Sequence, residues 1–220
     1  MSSVSQNLIA IHDTIDKAAT KWQRNSKDVQ LIAVSKQQPD DRIEVALNAG
    51  HRCFGENRVQ EAIERWGERR TAHTDLDLHL IGPLQTNKAA QAVGLFDCIH
   101  TVDREKLARI LAKEMGKQSR SLPCFIQVNT GGEDQKAGID PAELPDFLAF
   151  CREECALDII GLMAIPPIDE PAALHFALLK KLAVRHGLPN LSMGMSSDFE
   201  KAIALGATHI RVGTGVFGAR

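Results

Sequence analysis

A lysine at the end of an apolar run is the first residue here whose type and setting could do chemistry. Leu31-Ile32-Ala33-Val34-Ser35 leads directly into Lys36. If the run is a strand, the lysine stem packs at its end and the amine faces a cavity. Burial disfavours the charged ammonium and lowers its pKa, and a neutral amine can attack an aldehyde to form a Schiff base. Read alone, Lys36 is more simply a solvated lysine opening a loop.

Two turns near the other end change that balance. Ser192-Met193-Gly194-Met195-Ser196-Ser197-Asp198 follows one apolar run and opens a helix. Ser197 with Glu200 fits an S-x-x-E cap, which needs no ligand. Glycine, two hydroxyls and free N–H groups at a helix start also make an anion site. His209-Ile210-Arg211-Val212-Gly213-Thr214-Gly215 then runs into a second small-residue turn. Gly213 and Gly215 permit close backbone approach, and Thr214 adds a hydroxyl. Arg211 shares strand parity with His209 and Gly213, opposite Ile210 and Val212. If that apolar pair faces helices, Arg211 points inward and needs an acceptor, because a guanidinium does not readily lose its charge. A neighbouring carboxylate would serve, and so would the ring nitrogen of pyridoxal phosphate, one of the atoms that such proteins tune. An arginine there leaves the nitrogen largely unprotonated and weakens carbanion chemistry.

The middle of the chain is less decisive. Asn57, in Phe54-Gly55-Glu56-Asn57, could reach a bound ring or cap a helix. His79, before a Gly82-Pro83 turn, reads more simply as a satisfied core histidine than as a catalytic one. The polar run Asn129-Thr130-Gly131-Gly132-Glu133-Asp134-Gln135-Lys136-Ala137-Gly138 carries a lysine expected to be solvated. No metal-ligand cluster, Ser-His-Asp order or phosphate-loop motif is read from the spacing.

The elements that must position these residues alternate. Candidate strands are 30–35, 52–54, 78–81, 98–101, 124–129, 159–163, 190–192 and 209–212. Helical patterns lie at about 40–49, 57–69, 86–92, 104–117, 141–154, 170–186 and 198–205, with a short last helix near Thr214. Alternation argues for parallel strands joined by helical crossovers. Eight units predict a single-domain (β/α)8 barrel spanning 1–220, with chemistry at the C-terminal strand ends and phosphate near the last two strands. Val4, Leu8, Ile11, Ile15 and Trp22 recur at helical spacing and predict an additional N-terminal helix.

The chain's 220 residues are near the lower size limit of such a barrel. A net charge of −2 with dispersed basic residues argues against a nucleic-acid partner. Cys53, Cys98, Cys124, Cys151 and Cys155 lack C-x-x-C spacing and read as buried free thiols suited to a reducing compartment. The N-terminus does not read as a signal peptide, and no apolar run suits a membrane span. A cytoplasmic protein without a membrane or nucleic-acid partner is expected.

Ala33-Val34-Ser35-Lys36, Phe54-Gly55-Glu56-Asn57 with Val59-Gln60-Glu61, His79 through Lys88, and Gln127-Val128-Asn129 resemble the pyridoxal-phosphate homeostasis protein family. Leu191 through Ser196, Arg211-Val212-Gly213-Thr214 and Phe217-Gly218-Ala219-Arg220 complete the resemblance, in order, from about residue 30 to the end. It implies a barrel similar to the alanine racemase N-terminal domain, pyridoxal 5′-phosphate as cofactor and a Schiff base at Lys36. It further implies a ring-nitrogen contact from Arg211, phosphate contacts at Ser196, Ser197, Gly213 and Thr214, and Asn57 near the cofactor. The implied role is control and supply of pyridoxal phosphate, with effects on amino-acid metabolism and apo-enzymes as candidate recipients, without established catalysis. Two departures are Arg58, where the family more often has an aromatic, and an end at Arg220, a few residues early.

The rival reading is an amino-acid racemase on the same barrel. Racemisation needs bases on opposite faces of the substrate carbon, and in alanine racemases the second is a tyrosine. This sequence contains no tyrosine. It also reaches strand eight close to its end, so the racemase β-domain is not expected, and a monomer is. A Schiff-base aldolase is a third reading, for which Lys36 has no clear set of acid–base neighbours.

Overall fold

A computed structural model describes residues 3–133 and 135–219. Asp134 of the polar loop and Arg220 of the closing motif lie outside the described residues. Eight parallel strands close into a barrel in sequence order. They are β1 (Gln30–Val34), β2 (Cys53–Glu56), β3 (Asp77–Leu80), β4 (Cys98–Val102), β5 (Cys124–Gln127), β6 (Ile159–Met163), β7 (Asn190–Met195) and β8 (His209–Val212). Closure is made by β8 against β1, with Gln30 opposite His209 and Ala33 opposite Val212. The expected (β/α)8 barrel with an added N-terminal helix is what the chain forms.

The crossovers are helices because parallel neighbours must be joined from one end of the sheet to the other. They are α2 (Asp40–Asn48), α3 (Val59–Trp66), α4 (Arg69–Ala72), α5 (Ala89–Leu95), α6 (Glu105–Gln118), α7 (Leu144–Ala149), α8 (Ala172–Arg185) and α9 (Phe199–Ala204), with α10 (Thr214–Phe217) closing the chain. Except for α4, each buries apolar residues on one face, as α6 does with Leu107, Ala108, Leu111 and Met115. The single helix expected at 57–69 is two, α3 and α4. The one expected at 141–154 is α7 followed by a π-helical turn, Phe150–Glu154. Strand β7 runs three residues past Ser192, so Met193-Gly194-Met195 is strand, not turn.

Ahead of the barrel, α1 (Val4–Lys21) starts with a capping box between Ser3 and Gln6. Its buried stripe is Val4, Leu8, Ile11, Ile15, Ala18 and Ala19. Trp22, expected on that stripe, is 53% exposed because the helix ends at Lys21 and the chain leaves its axis there. The helix lies against α9 and α10. Asn7 donates to the Val216 carbonyl at 2.9 Å, and Arg24, just beyond the helix, donates to that of Ile203 at 2.7 Å.

Strand parity divides the interior into two cores. Leu31, Ala33, Phe54, Leu78, Leu80, Ile210 and Val212 are buried between sheet and helices. Inside the barrel, Cys98, Phe125 and Met163 form a separate apolar cluster. All five cysteines are buried and free, as expected. Among the described residues, no helix is long and apolar enough to cross a membrane.

Candidate functional site

Parallel strands deliver their C-terminal ends to one mouth of the barrel. Lys36 stands there, half-buried, two residues past the end of β1 and inside the turn that Ser35 opens, which the Gln38 N–H closes on the Ser35 carbonyl at 3.1 Å. The backbone turns sharply after it, with Gln37 at φ 56° in the left-handed region. Ser35, directly before the lysine, is fully buried and points to the outer side of the sheet. Its hydroxyl donates to Glu56 Oε1 at 2.7 Å. The same oxygen accepts from Arg65 Nη1 at 2.9 Å and Trp66 Nε1 at 3.0 Å. Glu56 is a buried carboxylate tying the lysine-bearing turn to α3, and nothing in its spacing from Ser35 announces that role.

Across the mouth, the two small-residue turns meet. Ser196 Oγ accepts from the Gly215 N–H at 3.4 Å, joining the turn after β7 to the one after β8. Gly213 is half-buried and faces Val34 of β1, while Thr214 is exposed at the start of α10. Ser197 is exposed and lines a cleft against Lys21 and Trp22. The Ser197–Glu200 cap does not form: α9 begins at Phe199 after Asp198, whose Oδ1 accepts from the Met195 N–H at 2.6 Å. With β7 continuing to Met195, the turn is too late in the chain for Ser197 to be the cap.

Arg211 points into the barrel, as its parity predicts, and is 4% exposed. Its partners are neutral: Nη1 donates to Ser192 Oγ at 2.6 Å and Nη2 to the Ala164 carbonyl at 2.9 Å. Among the described residues no carboxylate forms an ion pair with it, so the salt-bridge alternative is set aside. Burial pulls its pKa down to about 10, with Asp198 acting in the opposite direction. A desolvated guanidinium of this kind favours a further acceptor at the mouth.

Asn57 lines a cavity of about 280 Å³ at this mouth, with Ile81, Gly82, Gln127, Asn129 and Lys136. It is not the α3 cap, a position taken by Arg58. Gly82 has to be glycine here, since a Cβ would land on the Asn57 carbonyl. Lys136, expected to be solvated, is half-buried beside the same cavity. It pairs with Glu133 at 2.6 Å and donates to the Pro166 carbonyl at 3.3 Å. The loop curls back because Asn129 Nδ2 donates to the Glu133 carbonyl at 2.9 Å, a local bond that overrides the loop's polarity.

His79 is a satisfied core histidine, as read from sequence: Nδ1 meets His100 Nε2 at 2.8 Å and Nε2 meets Asp77 Oδ1 at 2.9 Å. The fold also gathers His79, Cys98 and His100, and Cys53, Asp77 and His79, with candidate ligand atoms within 4.8 Å of one another. The spacing alone did not reveal these groups, because their members sit on β2, β3 and β4. The nitrogens of His79 and His100 are committed to each other, to Asp77 and to Ser192. Burial, the largest effect, pushes the Cys53 and Cys98 thiols well above their ordinary pKa.

The alanine racemase N-terminal domain family matches residues 7–220. The pyridoxal phosphate homeostasis protein of Escherichia coli strain K12 is 38% identical over 229 residues, covering 100% of this chain and 98% of that protein. Its counterpart in Pseudomonas aeruginosa is 41% identical over 225 residues, at 100% and 97% coverage. Synechococcus elongatus PipY, solved with pyridoxal phosphate bound, superposes with a TM-score of 0.84 at 40% identity over 98% of this chain and 100% of that one. An alanine racemase from Clostridium difficile, at 15% identity, TM-score 0.71 and 57% of its own length, shares the fold. Full-length likeness on one side and partial, fold-level likeness on the other place the chain in the pyridoxal phosphate homeostasis protein family, built on the alanine racemase N-terminal domain.

Proposed function

We propose that this chain, acting as one barrel unit, binds pyridoxal 5′-phosphate as a Schiff base on Lys36 and serves its intracellular homeostasis and supply. The observation that carries the reading is Arg211: a buried guanidinium with neutral partners, aimed at the same mouth as Lys36 and the paired turns. Its remaining donor capacity suits a ring nitrogen. Ser196, Gly213 and Thr214, with Ser197 adjoining, suit the phosphate, and Asn57 suits the edge of the ring. The relatives' printed names and the cofactor bound to PipY support the same assignment.

When bound, the cofactor supplies a reactive aldehyde carbon and a conjugated ring. The chain's own groups restrain its power. Arginine at the ring nitrogen disfavours protonation there, so electron withdrawal is weak. A racemase would also need a second base across from Lys36, and the sequence contains no tyrosine to act as the usual one. We therefore read the protein as a carrier without dedicated catalysis, cytoplasmic and monomeric, whose macromolecular partners are apo-enzymes that take up the cofactor. Slow exchange with free amino acids is compatible with that role.

Borohydride reduction of the cofactor-loaded protein followed by peptide mass spectrometry tests the anchor. The pyridoxyl adduct is expected on Lys36 and absent in Lys36→Ala; an adduct on another lysine refutes the assignment. Transfer to an apo-enzyme is expected from the wild type. Robust enzyme-dependent formation of D-alanine in a chiral assay would instead establish the racemase.

A further inference from the structure

A chain of hydrogen bonds crosses the barrel interior from the mouth to its opposite end. Arg211 Nη1 donates to Ser192 Oγ at 2.6 Å. Ser192 Oγ lies 2.8 Å from His100 Nδ1, His100 Nε2 lies 2.8 Å from His79 Nδ1, and His79 Nε2 lies 2.9 Å from Asp77 Oδ1. Gln30 Nε2 completes the far end, donating to Asp77 Oδ2 at 2.6 Å. Ser192 and His100 are fully buried and His79 is 3% exposed. These residues come from β1, β3, β4, β7 and β8, and only the barrel interior brings them together.

The two ends fix the direction of every proton between them. A guanidinium can only donate and a carboxylate can only accept. Ser192 takes a donor from Arg211, so its own hydroxyl proton is available to His100 Nδ1. His100 then carries its ring proton on Nε2 and donates to His79 Nδ1. His79 likewise carries its proton on Nε2 and donates to Asp77. Each member is satisfied with both imidazoles neutral. The reverse polarity would set a bare His79 nitrogen against the carboxylate and point a donor from each side at Ser192.

The surroundings agree with a neutral His100 ring. His100 stacks on Phe125, with centroids 4.3 Å apart, and His209 lies 5.8 Å from His100 and 6.0 Å from His79. The titratable groups facing the pair are therefore Asp77, Cys53, Cys98, His209 and Arg211. Burial, then the neighbouring His79, His209 and Arg211, hold His100 well below its ordinary pKa. Burial alone would raise the Asp77 carboxyl, but the bonds from His79 and Gln30 outweigh it and keep it low.

We infer that Asp77, His79, His100 and Ser192 form a polarised relay of positioning residues that holds the Arg211 guanidinium in place from the far end of the barrel. Its use for the cofactor rests on the reading of Arg211 as the ring-nitrogen partner. The relay itself does not, and it is decided on cofactor-free protein.

Asp77→Asn keeps the side-chain size while its amide nitrogen can donate to His79 Nε2. The relay then reverses, both histidines carry their protons on Nδ1, and Ser192 is left between two donors. Nitrogen-15 NMR of histidine-labelled, cofactor-free protein is expected to show Nε2–H tautomers at His79 and His100 in the wild type. In Asp77→Asn both switch to Nδ1–H, and the Arg211 Nη protons exchange with water faster. Ser192→Ala, the smaller change, is expected to free the Arg211 protons in the same way. Both variants, checked by their melting curves, should retain pyridoxal phosphate roughly tenfold less tightly, the scale of one hydrogen bond to a charged group. Charged or Nδ1–H rings in the wild type, or unchanged His100 tautomer and Arg211 exchange in Asp77→Asn, overturn the relay. Wild-type protein that shows the tautomers but takes no cofactor on Lys36 would sink the proposed function and leave the relay standing.

Discussion

The Ser35 hydroxyl donates to Glu56 Oε1 at 2.7 Å, so the residue directly before Lys36 is pinned to a carboxylate that is itself 0% exposed. Arg65 and Trp66 of α3 hold the same oxygen. The lysine is thus placed by a bond on the outer side of the barrel wall, away from the chemistry. Removing one member of a buried ionic cluster typically costs about 3–5 kcal/mol. Glu56→Ala is expected to lose stability on that scale in urea titration. Ser35→Ala, which removes one donor to a charged acceptor, should lose about 1–3 kcal/mol and also slacken cofactor retention. Unchanged denaturation midpoints in both variants would contradict this account.

Acid should weaken the fold earlier than a carboxylate-only protein would show. His209, half-buried, is pushed down to about 3, first by burial, and fully buried His100 is also well below 6.5. Their folded pKa values are depressed, so their contribution is complete above 6.5 and is lost as pH falls toward the folded values. Asp77, held below 3.8, adds a further loss only at still lower pH. The slope approaches at most about 1.4 kcal/mol per pH unit for each histidine. Denaturation midpoints should be flat from pH 8 to 7 and fall steadily from 6.5 toward about 3, with His209→Asn flattening the decline. A midpoint that stays constant down to pH 4 would exclude neutral buried imidazoles.

Gly82 sits where two elements press together at the mouth. Thr101 Oγ1 donates to its carbonyl at 2.9 Å, and a Cβ on its other side would overlap the Asn57 backbone. Gly82→Ala must displace that loop. Overpacking of this kind costs about 1–3 kcal/mol, and the melting temperature should fall together with cofactor retention. Retention that survives intact would show that Asn57 does not bear on the site.

The two serines after β7 should not be equal. Ser196 is tied to the Gly215 N–H, whereas Ser197 is exposed toward α1. Equilibrium dialysis of pyridoxal phosphate is expected to find Ser196→Ala about tenfold weaker, the value of a hydrogen bond to an anion. Ser197→Ala should change retention less. The opposite order would mean that the turn presents its other hydroxyl to the phosphate.

Much of this was legible without coordinates where a local rule applied. Alternation of apolar runs with helical stripes predicts the barrel, because parallel strands cannot be joined without crossovers. Period-two parity predicts that Arg211 turns inward with His209 and Gly213, and it does. Local rules failed where a neighbour outbid them. Ser197 lost the α9 cap once β7 ran on to Met195, and Lys136 was drawn to the mouth by the bond between Asn129 and the Glu133 carbonyl.

The sequence by itself determined which residues point inward and which end of each strand carries chemistry, since both follow from chain direction and pleat. Only the tertiary structure decided which inward residues meet. Strands β3, β4, β7 and β8 contribute Asp77, His79, His100, Ser192 and Arg211 to one line, and Glu56 meets Ser35 and Trp66, through the stagger of a closed barrel. That stagger is set by how all eight strands pack at once, and no single stretch of sequence encodes it.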